Sequence, residues 1–433
     1  MTNINSTFPS SRWLAMLAES AQRSSSLHRQ VLGVRQSGLK SVEALIALQL
    51  RASAGQPAAG GMVFGSPAAN KSAIFASEQL DAFGTGRISD CFGPAFQKYD
   101  NCRIPRIPNG DLKMMSRVVA ITGTPRQVTQ SEEIVVEYDA DPASWFFKDA
   151  GSAEIPTGLV MEIALQPCGF LSAYLDSYSL VPYGEFYFRN LDGQIRFLSA
   201  PTLAGKTVTT HARLVTSVVS SATIIQKFLF RLSCQGQPFA EGESTFGYFS
   251  AQTMTNQVGL DGGQAEFATA HSLPISTTNW ENLAELEHSN RRQTGMRLPG
   301  GRLNMLGSVL VDPTGGRSGK GSVYSRRAVD PRDWFYPFHF YQDPVMPGSL
   351  GVEAVLQALQ VFALKTRQGS ALRSPRFCAP VDSKPMFWRY RGQITPQHRQ
   401  VELEVQISDI IQTPGKVTVS GDASIWVDNL RIY

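Results

Sequence analysis

Trp334-Phe-Tyr-Pro-Phe-His339-Phe-Tyr-Gln-Asp343-Pro-Val-Met-Pro347-Gly-Ser-Leu-Gly-Val-Glu353 is the stretch on which the reading of this chain turns. Its aromatic half, Trp334 to Phe340, has the bulk and β preference of a strand or strand end, and Asp343-Pro344 and Pro347-Gly348 follow as two turn signals. A helix is expected to begin near Gly348. From Ser349 to Lys365 the residues Leu350, Val352, Val355, Leu356, Leu359, Val361, Phe362 and Leu364 describe an apolar helix buried on most of its circumference. A buried helix carrying a carboxylate needs a reason. Glu353 and Gln357 lie four apart on one face, where the amide can orient the acid.

The same segment supplies an imidazole, His339, and the free amides of Gly348 and Ser349 at the helix start, which can hold a developing oxyanion. A base, an oriented acid and an oxyanion site are what β-elimination of water from a 3-hydroxyacyl thioester requires. The base removes the C2 proton, the amides hold the thioester oxygen as charge builds, and the acid protonates the departing 3-hydroxyl. Neither a cofactor nor a metal is needed. The alternative is a hydrogen-bonded core histidine with a helix-start acid favoured by the dipole.

The chain also contains a second, diverged copy of this pattern. Shifting the sequence by 191 positions brings Arg106-Ile-Pro-Asn-Gly-Asp-Leu-Lys-Met114 onto Arg297-Leu-Pro-Gly-Gly-Arg-Leu-Asn-Met305. Pro156, Leu159, Glu162 and Gln166 fall on Pro347, Leu350, Glu353 and Gln357 at the same shift. Asp141-Pro-Ala-Ser-Trp145 meets Asp330-Pro-Arg-Asp-Trp334, and Gly193-Gln-Ile195 meets Gly392-Gln-Ile394 further along. Each copy reads as a short strand, a helix of roughly five turns, and then β-branched or alternating strands such as Lys206 to Val219, Thr223 to Cys234, Val401 to Ser408 and Lys416 to Val427. One helix and one antiparallel sheet per copy make an α+β fold. Pro167 and Gly169 sit inside the first helix, where a kink after Gln166 is expected. The first copy keeps Glu162 and Gln166, but its stretch Phe147-Lys-Asp-Ala-Gly-Ser has no histidine, so only the second copy can supply the base.

The pattern His-Phe-x-x-Asp-Pro-Val-Met-Pro-Gly-x-Leu-Gly over His339 to Gly351 resembles the bacterial 3-hydroxydecanoyl-acyl-carrier-protein dehydratase/isomerase, a hotdog fold. With Phe92-Gly-Pro-Ala-Phe96, Met161-Glu-Ile-Ala-Leu-Gln166 and Phe188-Arg-Asn-Leu-Asp-Gly193, the chain from about residue 78 onward is similar to a dehydratase region of the multidomain polyketide-type synthases that make polyunsaturated fatty acids. The resemblance implies a double hotdog, two units pairing as a pseudo-dimer, with active sites at the junction. In such dimers the histidine of one unit works with the helix acid of the other. Carried onto this chain, His339 pairs with Glu162, oriented by Gln166, and Gly348 with Ser349 provides the oxyanion site. Glu353 and Gln357 then belong to a second site that lacks its base. The bacterial enzyme has Asp where this chain has Glu; either carboxylate can serve as the acid. An acyl tunnel is expected along Phe338, Phe340, Met346 and Leu350. The implied substrate rides on the phosphopantetheine of an acyl carrier protein, with neighbouring synthase domains as further partners and a homodimer as a further assembly. The same histidine could also move the new trans-2 double bond to cis-3. A hotdog thioesterase and a non-catalytic acyl-binding or scaffold module are the rival readings.

Composition bounds the rest. With 433 residues, 42% of them hydrophobic, and 24 Phe and 6 Trp, the chain can bury two ordinary cores. No run of 18 apolar residues is present, so a membrane span is not expected. Five cysteines without Cys-x-x-Cys spacing fit a reducing compartment, the cytoplasm, and argue against zinc or a disulfide framework. Cys168 lies on the first helix, as a nucleophile or, more ordinarily, as a small packed hydrophobe. The net charge of +4 comes from residues 1–75, which hold seven Lys/Arg against two Asp/Glu and leave 33 against 34 for the remainder. That is no nucleic-acid signature. Arg297, Arg302, Arg326 and Arg327 are candidates to dock an acidic carrier, or are ordinary surface arginines. Residues 1–77 read as a helical segment, periodic over 9–50, with an Ala/Gly/Pro-rich linker at 52–70, either a tether or a transit peptide. The first hotdog is then 78–270 and the second 271–433. Gly315-Gly-Arg-Ser-Gly-Lys-Gly-Ser fails the phosphate-loop pattern, because Gly321 stands where Ser or Thr must follow the Lys, and reads as a hairpin turn.

Overall fold

Alternating apolar and polar residues set the strands. Along Thr223–Cys234 burial alternates at every step, the period of a strand with one face on a core. The computed structural model describes residues 72–433 apart from 126, 129–130, 181–184, 221–222, 263–279, 294 and 382–383. The periodic segment and linker read within 1–70 lie outside the described residues, as does the expected seam at 270/271.

The first half opens with helices α1 (Ser77–Thr85) and α2 (Ile88–Phe92), then strands β1 (Arg117–Ile121) and β2 (Glu133–Asp139). A short helix α3 (Trp145–Ala150) leads into the long α4 (Thr157–Tyr174), followed by β3 (Phe186–Phe197), β4 (Thr207–Ser220), β5 (Thr223–Cys234), β6 (Gln237–Ser250) and α5 (Ala251–Thr255). The second half runs α6 (Leu283–Gln293), β7 (Ser308–Asp312), β8 (Ser322–Ala328), the long α7 (Gly348–Lys365), β9 (Met386–Arg389), β10 (Gln400–Thr413), β11 (Lys416–Val427) and β12 (Leu430–Arg431). The sheet orders are β1-β2-β4-β5-β6-β3-β9 and β12-β11-β10-β8-β7. Helix α4 packs on β2, β4 and β5, and α7 packs on β7, β8, β10 and β11. Each half is therefore an antiparallel sheet wrapped on one buried helix, and the chain is a double hotdog.

The halves are not independent in the sheet. Strand β9 of the second half pairs with β3 of the first, Gly193 opposite Trp388 and Asp192 opposite Arg389. Two consecutive amides then bond in opposite directions: Tyr390 N–H donates to Leu191 O at 2.6 Å, and Arg391 N–H to Ile432 O at 2.8 Å, beside β12. The two central helices meet at their starts, where a Cβ on Gly158 would lie 2.7 Å from the carbonyl oxygen of Ser349. Glycine permits that approach.

Three sequence expectations change. Trp334–Phe340 is a series of turns, not a strand, with Tyr336 N–H bonded to Asp333 O and His339 N–H to Phe335 O. Pro337 in its middle has no N–H for a ladder. Pro167 does not end α4, which runs on to Tyr174. The carbonyl that proline orphans, Ile163 O, accepts instead from the Thr210 hydroxyl at 3.1 Å. The folded body also starts before residue 78, since Phe75 is buried and its carbonyl accepts from Val118 N–H at 2.9 Å. Because β9 completes the first sheet, a split into 78–270 and 271–433 cuts a shared sheet. The glycine-rich loop at 315–321 does join β7 and β8 as a hairpin, closed by Gly321 N–H on Gly315 O at 2.9 Å. Among the described residues no helix is long and apolar enough to cross a membrane.

Candidate active site

The repeated motif and the helix glutamine form one device. In the first half the motif ends in a tight turn, Gly110–Leu112; Gln166 accepts from Met114 N–H at 2.9 Å and donates to Leu112 O at 2.8 Å. In the second half Gln357 accepts from Met305 N–H at 3.0 Å and donates to Leu303 O. Each amide thereby serves two backbone groups that would otherwise be buried unpaired. Gln166 also donates to Glu162 Oε2 at 2.9 Å, fixing that carboxyl group on α4.

The other oxygen of Glu162 is held from the opposite half. Ser349 Oγ donates to Glu162 Oε1 at 2.5 Å, with both residues buried. His339, also buried, places Nδ1 2.9 Å from Val345 O. A carbonyl can only accept, so Nδ1 carries the hydrogen and Nε2 presents a free lone pair. Burial pushes the imidazole below its ordinary range, against the opposing pull of the nearby Glu162 carboxyl and the Val345 carbonyl. The ring is thus kept neutral, as a base must be. At the start of α7 the first ladder bonds are those of Leu350 and Gly351 to Pro347 O, which leaves the Gly348 and Ser349 N–H groups ahead of the ladder.

The mirror arrangement is built differently. Gly158 stands where Ser349 stands in the second half, and its N–H donates to Glu353 Oε2 at 3.0 Å, so that amide is spent on the acid itself. Burial pushes the Glu353 carboxyl above its usual range, opposed by the Gly158 amide and Gln357. Where the counterpart of His339 falls, the Arg297 guanidinium donates to the carbonyls of Lys148, Asp149 and Ala150 at 3.2, 3.4 and 3.3 Å. Residues 298–433, which carry His339 and its helix, match the family model described as the FabA-like domain.

The stretch 298–433 thus provides the imidazole and the helix N-terminus, while Glu162 comes from the half before it. The chain is 30% identical over 373 residues to a polyunsaturated fatty acid synthase protein of Thraustochytrium sp., an alignment covering 81% of this chain and 25% of that protein. It spans about a quarter of the length of this curated relative. Among solved structures, a dehydratase from a study of type I polyketide synthases matches 75% of this chain and 96% of its own at 10% identity and a TM-score of 0.37. A protein described as a thioesterase, from Novosphingobium aromaticivorans, matches 72% of this chain and 96% of its own at 12% identity and a TM-score of 0.34.

His339, Glu162, Gly348 and Ser349 line one open-mouthed pocket of about 790 Å³, measured out to its mouth. Of the expected tunnel residues, Phe340 and Met346 border it. Phe338 does not, because its ring covers Gly110, where a Cβ would lie 2.5 Å from the ring. Leu350 points into the core and is fully buried. The apolar wall comes from the first half instead: Leu165 and Gly169 on α4, with Phe188 and Phe246 stacked in parallel at 4.9 Å. Arg189, which lines the same pocket, grips Asp343 of the second half with two bonds, 2.7 and 2.8 Å, and donates to Gln393 at 2.9 Å.

Sequence reasoning took Ser349 for its amide and missed its hydroxyl, and it overlooked Arg189 and Tyr390. The spacing of Arg189 within Phe188 to Gly193 was visible, but no local pattern announces a partner 154 residues away. Cys168 is fully buried, its thiol pushed up by burial and donated to Ala164 O, which is the packing role. The arginines considered for docking have internal partners. Arg302 pairs with Asp111 at 2.5 Å, Arg327 with Asp333 at 2.5 Å, and Arg326 lies over the Trp280 ring.

Proposed function

We propose that this chain removes water from 3-hydroxyacyl thioesters to give trans-2-enoyl thioesters, the acyl group being presented on the phosphopantetheine arm of an acyl carrier protein within a synthase. The observation that carries this reading is the pairing across the halves: a neutral His339 with Nε2 free, facing a pocket shared with Glu162, whose two oxygens are held by Gln166 and Ser349.

In this scheme His339 Nε2 takes the C2 proton. The electron pair of that C–H bond forms the C2–C3 double bond as the C3–O bond breaks, and the Glu162 carboxyl proton leaves with the hydroxyl as water. The Gly348 amide holds the thioester oxygen while charge builds there. The proton gained by His339 then restores Glu162, so the cycle closes without a redox step and without a resident metal or cofactor. The burial of His339, Glu162 and Ser349 strengthens each of these polar contacts. Neighbouring synthase domains are the proposed further partners, and the two halves act as one pseudo-dimer.

The test is incubation of the purified chain with a 3-hydroxyacyl-pantetheine. The expected product is the enoyl thioester, lost in His339→Ala. Release of free acid would make the chain a thioesterase, and tight binding without turnover would make it an acyl-binding module.

A further inference from the structure

Tyr390 is a buried hydroxyl in the pocket that the scheme above leaves unused. The residue is 6% exposed and lines the same cavity as His339 and Glu162. Its Oη has no hydrogen-bond partner among the described residues. Its ring lies on the start of α7: a Cβ on Gly348 would meet Tyr390 Cε2 at 2.5 Å and Cζ, the carbon bearing the hydroxyl, at 2.8 Å. The phenol therefore sits directly against the Gly348 backbone, the expected oxyanion position.

The ring is also fixed. Tyr390 N–H bonds Leu191 O across the junction, and the ring packs on Tyr433 with centroids 4.4 Å apart. A rigid, buried donor left unpaired is costly unless something polar enters the pocket to meet it. Burial holds the phenol proton well above its usual range, so the group stays a donor. Its counterpart in the first half, in the frame that sets Gly193 on Gly392, is Leu191. The hydroxyl thus occurs only on the side that has a histidine.

We propose that Tyr390 Oη donates to the thioester carbonyl oxygen of the bound substrate, beside the Gly348 amide, as a second oxyanion donor. The inference rests on the dehydratase reading for the identity of that carbonyl. The test is Tyr390→Phe, which keeps the ring on Gly348 and Tyr433 and removes only the hydroxyl. Loss of kcat/KM by roughly a hundredfold is expected, with an unchanged Tm. In parallel, binding of S-octanoyl-pantetheine is compared with that of its S-octyl thioether, which lacks the carbonyl. Wild type should prefer the thioester, and in Tyr390→Phe that preference should shrink, the Gly348 amide alone still meeting the carbonyl. This difference cancels any general damage to the pocket and needs no turnover. A wild type that does not dehydrate but whose preference shrinks in the variant would sink the dehydratase reading while supporting the contact. A variant within twofold of an active wild type, a preference undiminished in the variant, or a wild type with no preference would overturn the proposal.

Discussion

Replacing Gln166 by leucine removes three hydrogen bonds at once, and Gln357→Leu is its internal control. In both halves the substitution strands one backbone N–H and one carbonyl: Met114 and Leu112 in one, Met305 and Leu303 in the other. Each buried orphan costs about 1–3 kcal/mol, so either variant should lose roughly 2–6 kcal/mol of stability. The activity effects should differ. Gln166 additionally fixes Glu162, and loss of a bond to a charged or reacting carboxyl group is worth roughly tenfold to a hundredfold in kcat/KM. Urea unfolding should show two comparably weakened proteins. Steady-state dehydration, measured at a temperature where both remain folded, should show only Gln166→Leu impaired. Equal losses of activity in the two variants would refute the argument that the acid of the first half alone is in use.

The acid limb of the pH profile follows from His339. Its folded pKa lies below the ordinary 6.5, so the free base persists on acidification and kcat/KM should fall only below that pH; an inflection at or above 6.5 would contradict the buried, neutral ring. The same sign makes the unfolded chain the better proton binder in that window, so this group costs stability as pH drops below 6.5. At the helix crossing, Gly158→Ala drives a methyl to 2.7 Å from Ser349 O, a backbone atom that cannot turn aside. The expected cost is about 1–3 kcal/mol, read by thermal unfolding, together with lost activity because Ser349 carries the bond to Glu162. A variant as stable and active as wild type would show that the helices can part freely.

Periodicity and repetition made much of this molecule legible. Thr223–Cys234 and Lys416–Val427 are strands at the bounds their alternation and β-branching suggested, and α7 begins at the Pro-Gly turn. The 191-residue shift mapped the Gln clamps before any contact was known, because a device that satisfies backbone groups keeps its spacing when copied. The aromatic run before His339 misled, since bulk and β preference gave no weight to Pro337. Tunnel walls were read from residues adjacent to the histidine, yet Phe188 and Phe246 arrive from other strands. Ser349, Arg189 and Tyr390 act across the junction, and no local pattern encodes which side chain of one half meets the other. A proline inside a helix signalled a defect, but not that a threonine on β4 would repair it.

The central claim is that one site is built from both halves. Dehydration of a 3-hydroxyacyl-pantetheine by wild type, Glu162→Gln and Glu353→Gln, measured side by side, tests it most directly. Activity should collapse by at least a hundredfold in Glu162→Gln, which keeps a polar side chain but has no acidic proton, and stay near wild type in Glu353→Gln. Collapse in Glu353→Gln with Glu162→Gln intact would mean that the second half works with its own acid and that the composite site is wrong.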